Sequence, residues 1–256
     1  MKWSNVKAIK MYHGLKKIAK AFIPQKFLFK YEFLFRWFIA IKYLGNKYHC
    51  NICKTKLNRF IKLEPDDLLC PACGSRSRTR RLYNLLLKDN AFQGNVLHFS
   101  PSRSLYRVFK KIKSMNYFST DFENEFLADY SIDIRKIDFE DSYFNTIICY
   151  HILEHIEEDI VAIEELIRVL KPNGICYIQT PFKDGAIYED ASKTSESQRI
   201  EAFGQKDHVR IYSVKGLKER LEQVGFEVSV TTFTPQKEDV FVGYQSPETI
   251  LIASKP

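Results

Sequence analysis

No apolar run in this 256-residue sequence is both long and free of charge. Residues 22–44 are strongly aromatic, but Lys26, Lys30, Glu32, Arg36 and Lys42 interrupt them, which argues against a membrane-spanning helix. A secretory pattern is also lacking, because lysines break every apolar run in the first 21 residues and no small-residue cleavage site follows. Acid is nearly missing from one end. Residues 1–48 hold 11 Lys/Arg against the single acid Glu32, a net +10, while the rest holds 28 against 30, a net −2. A near-neutral body argues against a broad nucleic-acid footprint on it. Six cysteines in a chain this long, with 45% hydrophobic residues, exclude a disulfide scaffold and fit a reducing, cytoplasmic setting. There is no internal repeat and no low-complexity tract.

What remains divides into three parts: a basic aromatic leader (1–48), a cysteine module (49–75) and an α/β body (76–256). The leader reads as a helix. It either lies on a membrane surface, placing the protein at the inner face of the cell membrane, or packs on the protein's own body or a partner. Its charges do not gather on one helical face.

In the module, Cys50-x2-Cys53 is followed after sixteen residues by Cys70-x2-Cys73. Two such turns aim four thiolates at one ion, and four thiolates fill a tetrahedron, so the expected Zn2+ is structural. Gly74 stands where a knuckle turn favours glycine. The arginines at 76, 78, 80 and 81 follow directly. Positive charge opposes the dipole at a helix start, which points to an anion-binding task such as a substrate phosphate.

In the body, "SRSRTRRLYNLLLKDN" reads as a helix capped by Ser75 or Ser77, and "NVLHFS", "NYFSTDF", "FNTIICY" and "ICYIQTP" read as strands. "EEDIVAIEELIRVLKPNG" and "GLKERLEQVG" read as helices. "FEVSVTTF" and "TILIAS" form a final strand pair joined by a short loop. The alternation predicts a parallel sheet with helices on both faces and an antiparallel end. Ligands in such sheets sit at the carboxyl ends of the strands, where His98 to Ser104, Asp121 and "YHILEH" are found.

"HILEH" (151–155) also matches the H-x-x-E-H pattern of one zinc peptidase class. That chemistry needs both histidines on a helix. His151 follows directly on the buried strand "NTIICY", so the string marks a strand end instead.

"FEDSYFNTIICYHILEHI" and "LIRVLKPNG" resemble the class I S-adenosylmethionine-dependent methyltransferases, over roughly residues 95–230. "CPACGSRSRTRRLYNLLL", "VLHFSPSRSL" and "EAFGQKDHVRIY" are similar to a bacterial subgroup with an N-terminal zinc-ribbon-like module. The resemblance implies a Rossmann-like sheet of seven strands, one of them antiparallel. It implies S-adenosyl-L-methionine as cofactor, with Asp121 at the ribose, Asp133 and Ile134 at the adenine, and Tyr150 and His151 near the transferable methyl. The first-strand turn, His98, Phe99, Ser100 and Pro101, would face its amino-acid end. That turn departs from the family pattern: it has no glycine, and His98 replaces an acid.

"FGQKDHVR" is the other polar concentration. His208 is a candidate base for an acceptor hydroxyl or amine, with Asp207 and His151 beside it in the candidate catalytic set. Three functions follow. The first is methylation of a small or lipid-linked acceptor, a saccharide among the candidates, at O or N. The second is methylation of ribosomal or transfer RNA with the cysteine module as substrate reader. The third is a non-catalytic binding module that kept the fold.

Overall fold

A computed structural model of the chain describes residues 25–63, 67–123 and 125–256, so the first half of the leader lies outside the described residues. Helix α1 (Gln25–Ala40) is inverted relative to an ordinary surface helix. Glu32 and Arg36 turn inward: Glu32 accepts from Arg36 at 2.7 Å and from Arg107 at 3.0 Å, with Arg103 at 3.3 Å. Its aromatic face points outward.

The strands of the module follow. β1 (Leu44–His49) pairs antiparallel with β2 (Lys56–Leu57), and β3 (Ile61–Leu63) with β4 (Asp67–Leu69). The first hairpin thus starts at Leu44, inside the stretch read as leader. Each cysteine pair closes an equivalent knuckle. Lys54 N–H donates to Cys50 O, Gly74 N–H donates to Cys70 O, and both residues have left-handed backbones, φ 61° and 77°. Glycine suits position 74 for a second reason: a Cβ there would meet the Arg36 guanidinium of α1 at 2.7 Å.

α2 (Ser77–Lys88) begins without the expected serine cap. The Ser75 hydroxyl lies 3.2 Å from Cys73 Sγ and 3.4 Å from Cys50 Sγ, and Ser77 is already inside the helix. Then come β5 (Gly94–Phe99), α3 (Arg103–Phe109, capped by Ser102), β6 (Met115–Thr120) and β7 (Phe144–Tyr150). After these lie α4 (Asp159–Val169), β8 (Leu170–Gln179), β9 (Tyr188–Glu189), α5 (Glu196–Phe203), β10 (Arg210–Ile211), α6 (Val214–Val224), β11 (Glu227–Phe233), α7 (Lys237–Val242) and β12 (Glu248–Ser254).

The main sheet has the order β6-β5-β7-β8-β12-β11. β12 alone runs antiparallel to its neighbours. The expected seventh strand is a correction. Among the described residues, one parallel bridge forms beyond β6, between Thr120 and Tyr130, so the sheet has six strands there. The segment there turns at once into Asp133, whose carboxylate takes the backbone N–H and the guanidinium of Arg135 instead of continuing a ladder.

Period-two alternation sorts the core into two layers. Leu97, Ile147, Cys176 and Leu251 face α4 and α6. Val96, Ile148, Tyr177 and Ile250 face α2 and α3, in one continuous cluster with Cys50, Leu57, Phe60 and Cys70 of the module. Arg80 ties the module to the end of α7, and Arg81 ties α2 to α7 and β12, which corrects their reading as anion binders. Arg80 is fully buried, stacks on Phe60 at 4.3 Å and donates to the carbonyls of Ser75, Leu68, Val242 and Gly243. Arg81 pairs with Asp239 and Glu248, each at 3.1 Å.

Candidate functional site

The chain leaves β5 for β6 on one side and reaches β7 on the other, so the sheet reverses its winding at β5. A crevice must open at the carboxyl ends of these strands. A cavity of about 780 Å³ lies there.

The β5 turn supplies one wall. His98 is buried and its Nδ1 lies 3.1 Å from the Tyr117 hydroxyl. Burial pushes its pKa down to about 3, so the residue in the acid's place is neutral. Ser100 adopts φ 43°, a backbone where glycine is usual. Two bonds hold it there: its N–H to Thr120 O at 2.7 Å and its hydroxyl to Asp121 Oδ1 at 2.7 Å. Serine therefore makes the turn that the missing glycine would have made, at a cost of roughly 1–3 kcal/mol in strain. Phe99 lines the cavity, whereas Pro101, buried in the same turn, does not.

Asp121 ends β6 and is 5% exposed. Its Oδ2 accepts the Phe126 N–H at 3.0 Å. A carboxylate has about four lone-pair sites, so two acceptor positions remain. Asp133 and Ile134 line the cavity, with the Asp133 carboxylate already held by Arg135 at 2.7 Å.

The β7 end carries the densest chemistry. His151 has φ 56°, a left-handed turn fixed by its N–H donating to Gln179 O at 2.7 Å. That turn brings its ring to the 3-10 turn 153–155. Its Nδ1 lies 3.1 Å from Glu154 Oε1. Burial would raise the Glu154 pKa, but the His151 bond outweighs it and holds the carboxyl below its usual range. An ionised carboxylate only accepts, so Nδ1 carries the proton and Nε2 presents a lone pair. Nε2 and the Tyr150 hydroxyl are buried with no protein partner.

The 205–210 segment folds against this turn because Val209 N–H donates to Glu154 O at 2.9 Å and Arg210 donates to the carbonyls of Leu153, Ile156 and Glu157. His208 is thereby set against His155, with ring centroids 4.7 Å apart. Asp207 does not orient His208: its carboxylate lies 3.4 Å from His155 Nδ1 instead. Adjacent side chains on an extended segment diverge, so the neighbour in sequence is not the partner in space. The candidates His151, Asp207 and His208 do share one cavity. Reasoning from sequence missed Glu154 as the partner of His151, because the contact depends on the left-handed backbone at 151, which no spacing rule shows.

Arg76 and Arg78 also line the cavity. Arg76 is paired with Asp67 at 2.8 Å. Arg78 forms no hydrogen bond or ion pair among the described residues, and burial lowers its pKa.

The four cysteines form a separate cluster outside this cavity. Their Sγ atoms all lie within 4.8 Å of one another, with Cys50–Cys73 at 3.7 Å and Cys53–Cys70 at 3.8 Å. Zinc–thiolate bonds of about 2.3 Å in a tetrahedron place sulfurs about 3.8 Å apart, so this donor set fits zinc closely.

A mostly parallel sheet with a polar crevice at its switch point defines a nucleotide-type ligand-binding class. The family can be stated more narrowly: a family profile described as a methyltransferase domain matches residues 85–230, and the chain belongs to that family. No curated protein matches the sequence. Among solved structures, the cyclase SpnF shares the fold with a TM-score of 0.51 at 16% identity, covering 89% of this chain and 94% of that one. A SAM dependent methyltransferase from Archaeoglobus fulgidus aligns at 15% identity and a TM-score of 0.49, over 68% of this chain and 93% of that one. Phosphoethanolamine N-methyltransferase 2 from Haemonchus contortus aligns at 16% and 0.47, over 68% and 53%. These likenesses concern the fold.

Proposed function

We propose that the chain is an S-adenosylmethionine-dependent methyltransferase acting on oxygen or nitrogen of a small or lipid-linked acceptor, saccharides included. One observation carries the reading: a single cavity at the switch point of a methyltransferase fold joins Asp121 to the His151–Glu154 pair. The residues fit the cofactor. Asp121 keeps acceptor capacity for two ribose hydroxyls, Asp133 and Ile134 flank an adenine position, and Ser100 makes the turn that lets the backbone approach. When bound, the cofactor supplies an electrophilic methyl group.

The protein's own work is then alignment, exclusion of water and removal of one proton. His151 Nε2 takes the acceptor's proton, with Glu154 steadying the imidazolium that forms. His208 and His155 hold the acceptor side of the cavity. Arg78, the cavity cation without a protein partner, holds an anionic group of the acceptor or the cofactor carboxylate. Phe122 and Phe126, exposed at the rim, offer apolar contact to the rest of the acceptor. The four-cysteine cluster holds one structural zinc. The concentration of positive charge in residues 1–48, away from a body at −2, supports a small acceptor over RNA.

Calorimetry with S-adenosylhomocysteine tests this reading. Binding should weaken at least about tenfold in Asp121→Ala, the loss expected for hydrogen bonds to a charged acceptor. Unchanged affinity would mean that the cofactor lies elsewhere.

A further inference from the structure

We propose that Glu154, His155 and His208 form a second, divalent-metal site in the cavity floor, distinct from the four-cysteine cluster. One ligating atom from each lies within 4.8 Å of the other two. Metal bonds of about 2.1 Å close that span with small side-chain movements. Glu154 is 1% exposed, and its Oε2 has no hydrogen-bond partner among the described residues. A buried carboxylate oxygen left so is costly, and a cation is the partner that removes the cost. Its other oxygen is already fixed by His151, so Oε2 alone is free to ligate. Asp207 facing His155 Nδ1 leaves Nε2 of that ring as the ligating nitrogen, the arrangement in which a carboxylate orients a metal-bound histidine. His208 is 3% exposed and packs edge-on against His155.

Two imidazoles and one carboxylate suit zinc, cobalt, iron or manganese. Three protein ligands leave positions open toward the cavity, unlike the closed cysteine set. An ion held there would supply Lewis acidity to an acceptor hydroxyl, and His151 Nε2 would take its proton. This role rests on the reading of the cavity as the acceptor pocket; the metal site itself does not. The peptidase pattern is not restored, because His151 orients Glu154 rather than binding the ion.

Cobalt alone is the probe, added to the full chain with zinc already in the cysteine cluster. The expected result is about one further equivalent bound per chain, with visible absorption lacking a thiolate charge-transfer band. Glu154→Gln and His208→Ala should each weaken that equivalent at least about tenfold while the first zinc and the melting temperature hold. Retained zinc and near-ultraviolet circular dichroism report folding independently. No second equivalent, or one unaffected by Glu154→Gln, His155→Gln and His208→Ala, overturns the site. S-adenosylhomocysteine affinity, measured on the same samples, reports the cofactor reading separately.

A different observation carries a second inference. We infer that the outward face of α1 rests on an anionic lipid surface. Phe33, Leu34, Phe35, Trp37 and Phe38 are each 44–66% exposed on this helix. Its one acid, Glu32, is spent inward on three arginines, so no negative charge faces out from a segment of net +10. A second copy would set +10 against +10. A lipid surface carrying negative headgroups matches both the apolar face and the charge.

The test uses full-length Trp3→Phe, which leaves Trp37 as the sole tryptophan. Its fluorescence should shift to the blue with vesicles containing phosphatidylglycerol and stay unchanged with phosphatidylcholine alone, and the shift should fall as salt rises. Adding Phe35→Ser and Phe38→Ser should abolish binding. Equal binding to both vesicles, no binding, or concentration-dependent dimers that disappear in the double variant would each overturn the inference. A cross-link from residues 1–24 onto this face that persists with vesicles would do so too.

Discussion

The two clusters of metal-ligating side chains, four cysteines in the module and Glu154–His155–His208 in the cavity, have the same tight dimension yet are built in opposite ways. The cysteines come from two local turns of identical geometry, and each turn is complete within six residues, from Cys50 to Thr55 and from Cys70 to Ser75. The cavity cluster needs a left-handed residue at 151, a 3-10 turn at 153–155 and a segment returning from 207–210. The first, filled by zinc, would be closed and would stabilise the fold. The second keeps one buried carboxylate oxygen, Glu154 Oε2, without a partner among the described residues, which suits a site that takes a ligand.

The sharpest way to separate them is to remove each in turn. Cys70→Ser should lose the zinc and destabilise the chain by about 3 kcal/mol or more, because Cys70 and Cys50 are part of the core that includes α2. Thermal melting with metal analysis checks it; an unshifted melt would mean that the module is an independent appendage. His151→Gln should do the reverse. Turnover should fall about 10²–10⁴-fold while stability and cofactor affinity hold. Equal losses in turnover and melting temperature would reduce His151 to a structural residue.

A third variant probes the anchoring of α2 on α7 and β12. Arg81→Met strands the carboxylates of Asp239 and Glu248, both mostly buried, and should cost about 3 kcal/mol. Thermal melting checks it; an unshifted midpoint would mean that these pairs add nothing to stability.

The smallest effect is at α1. Burial alone would raise the Glu32 pKa, but Arg36, Arg103 and Arg107 outweigh it and hold the carboxyl at about 2. A depressed acid stabilises above its unfolded value of 4.5 and loses that contribution as pH falls toward 2. Hydrogen exchange in α1 should therefore rise between these limits, and Glu32→Gln should flatten the response.

Legibility in the sequence follows the same division. The run "FNTIICY" marks β7 at both its ends, and the paired C-x-x-C turns are visible from spacing, because both are local. The resemblance implies a seventh strand, but Asp129 and Tyr130 bond back to the end of β6 at one bridge and Asp133 then takes the Arg135 N–H in a turn. The helix read to run as far as Pro172 stops at Val169, where Leu170 enters β8. α5 was unread although Ser195 and Gln198 form a capping box, a signal that the S-x-x-Q spacing carries. The inward charges of α1 could not be seen, since Arg103 and Arg107 lie about seventy residues away.

The central claim is that Asp121 and the His151–Glu154 pair share one S-adenosylmethionine cavity. Titrating zinc-loaded protein with S-adenosylhomocysteine tests it most directly. The account expects binding at about one per chain, weakened at least about tenfold in Asp121→Ala and unchanged in His151→Gln. No heat from the folded wild-type chain would contradict it.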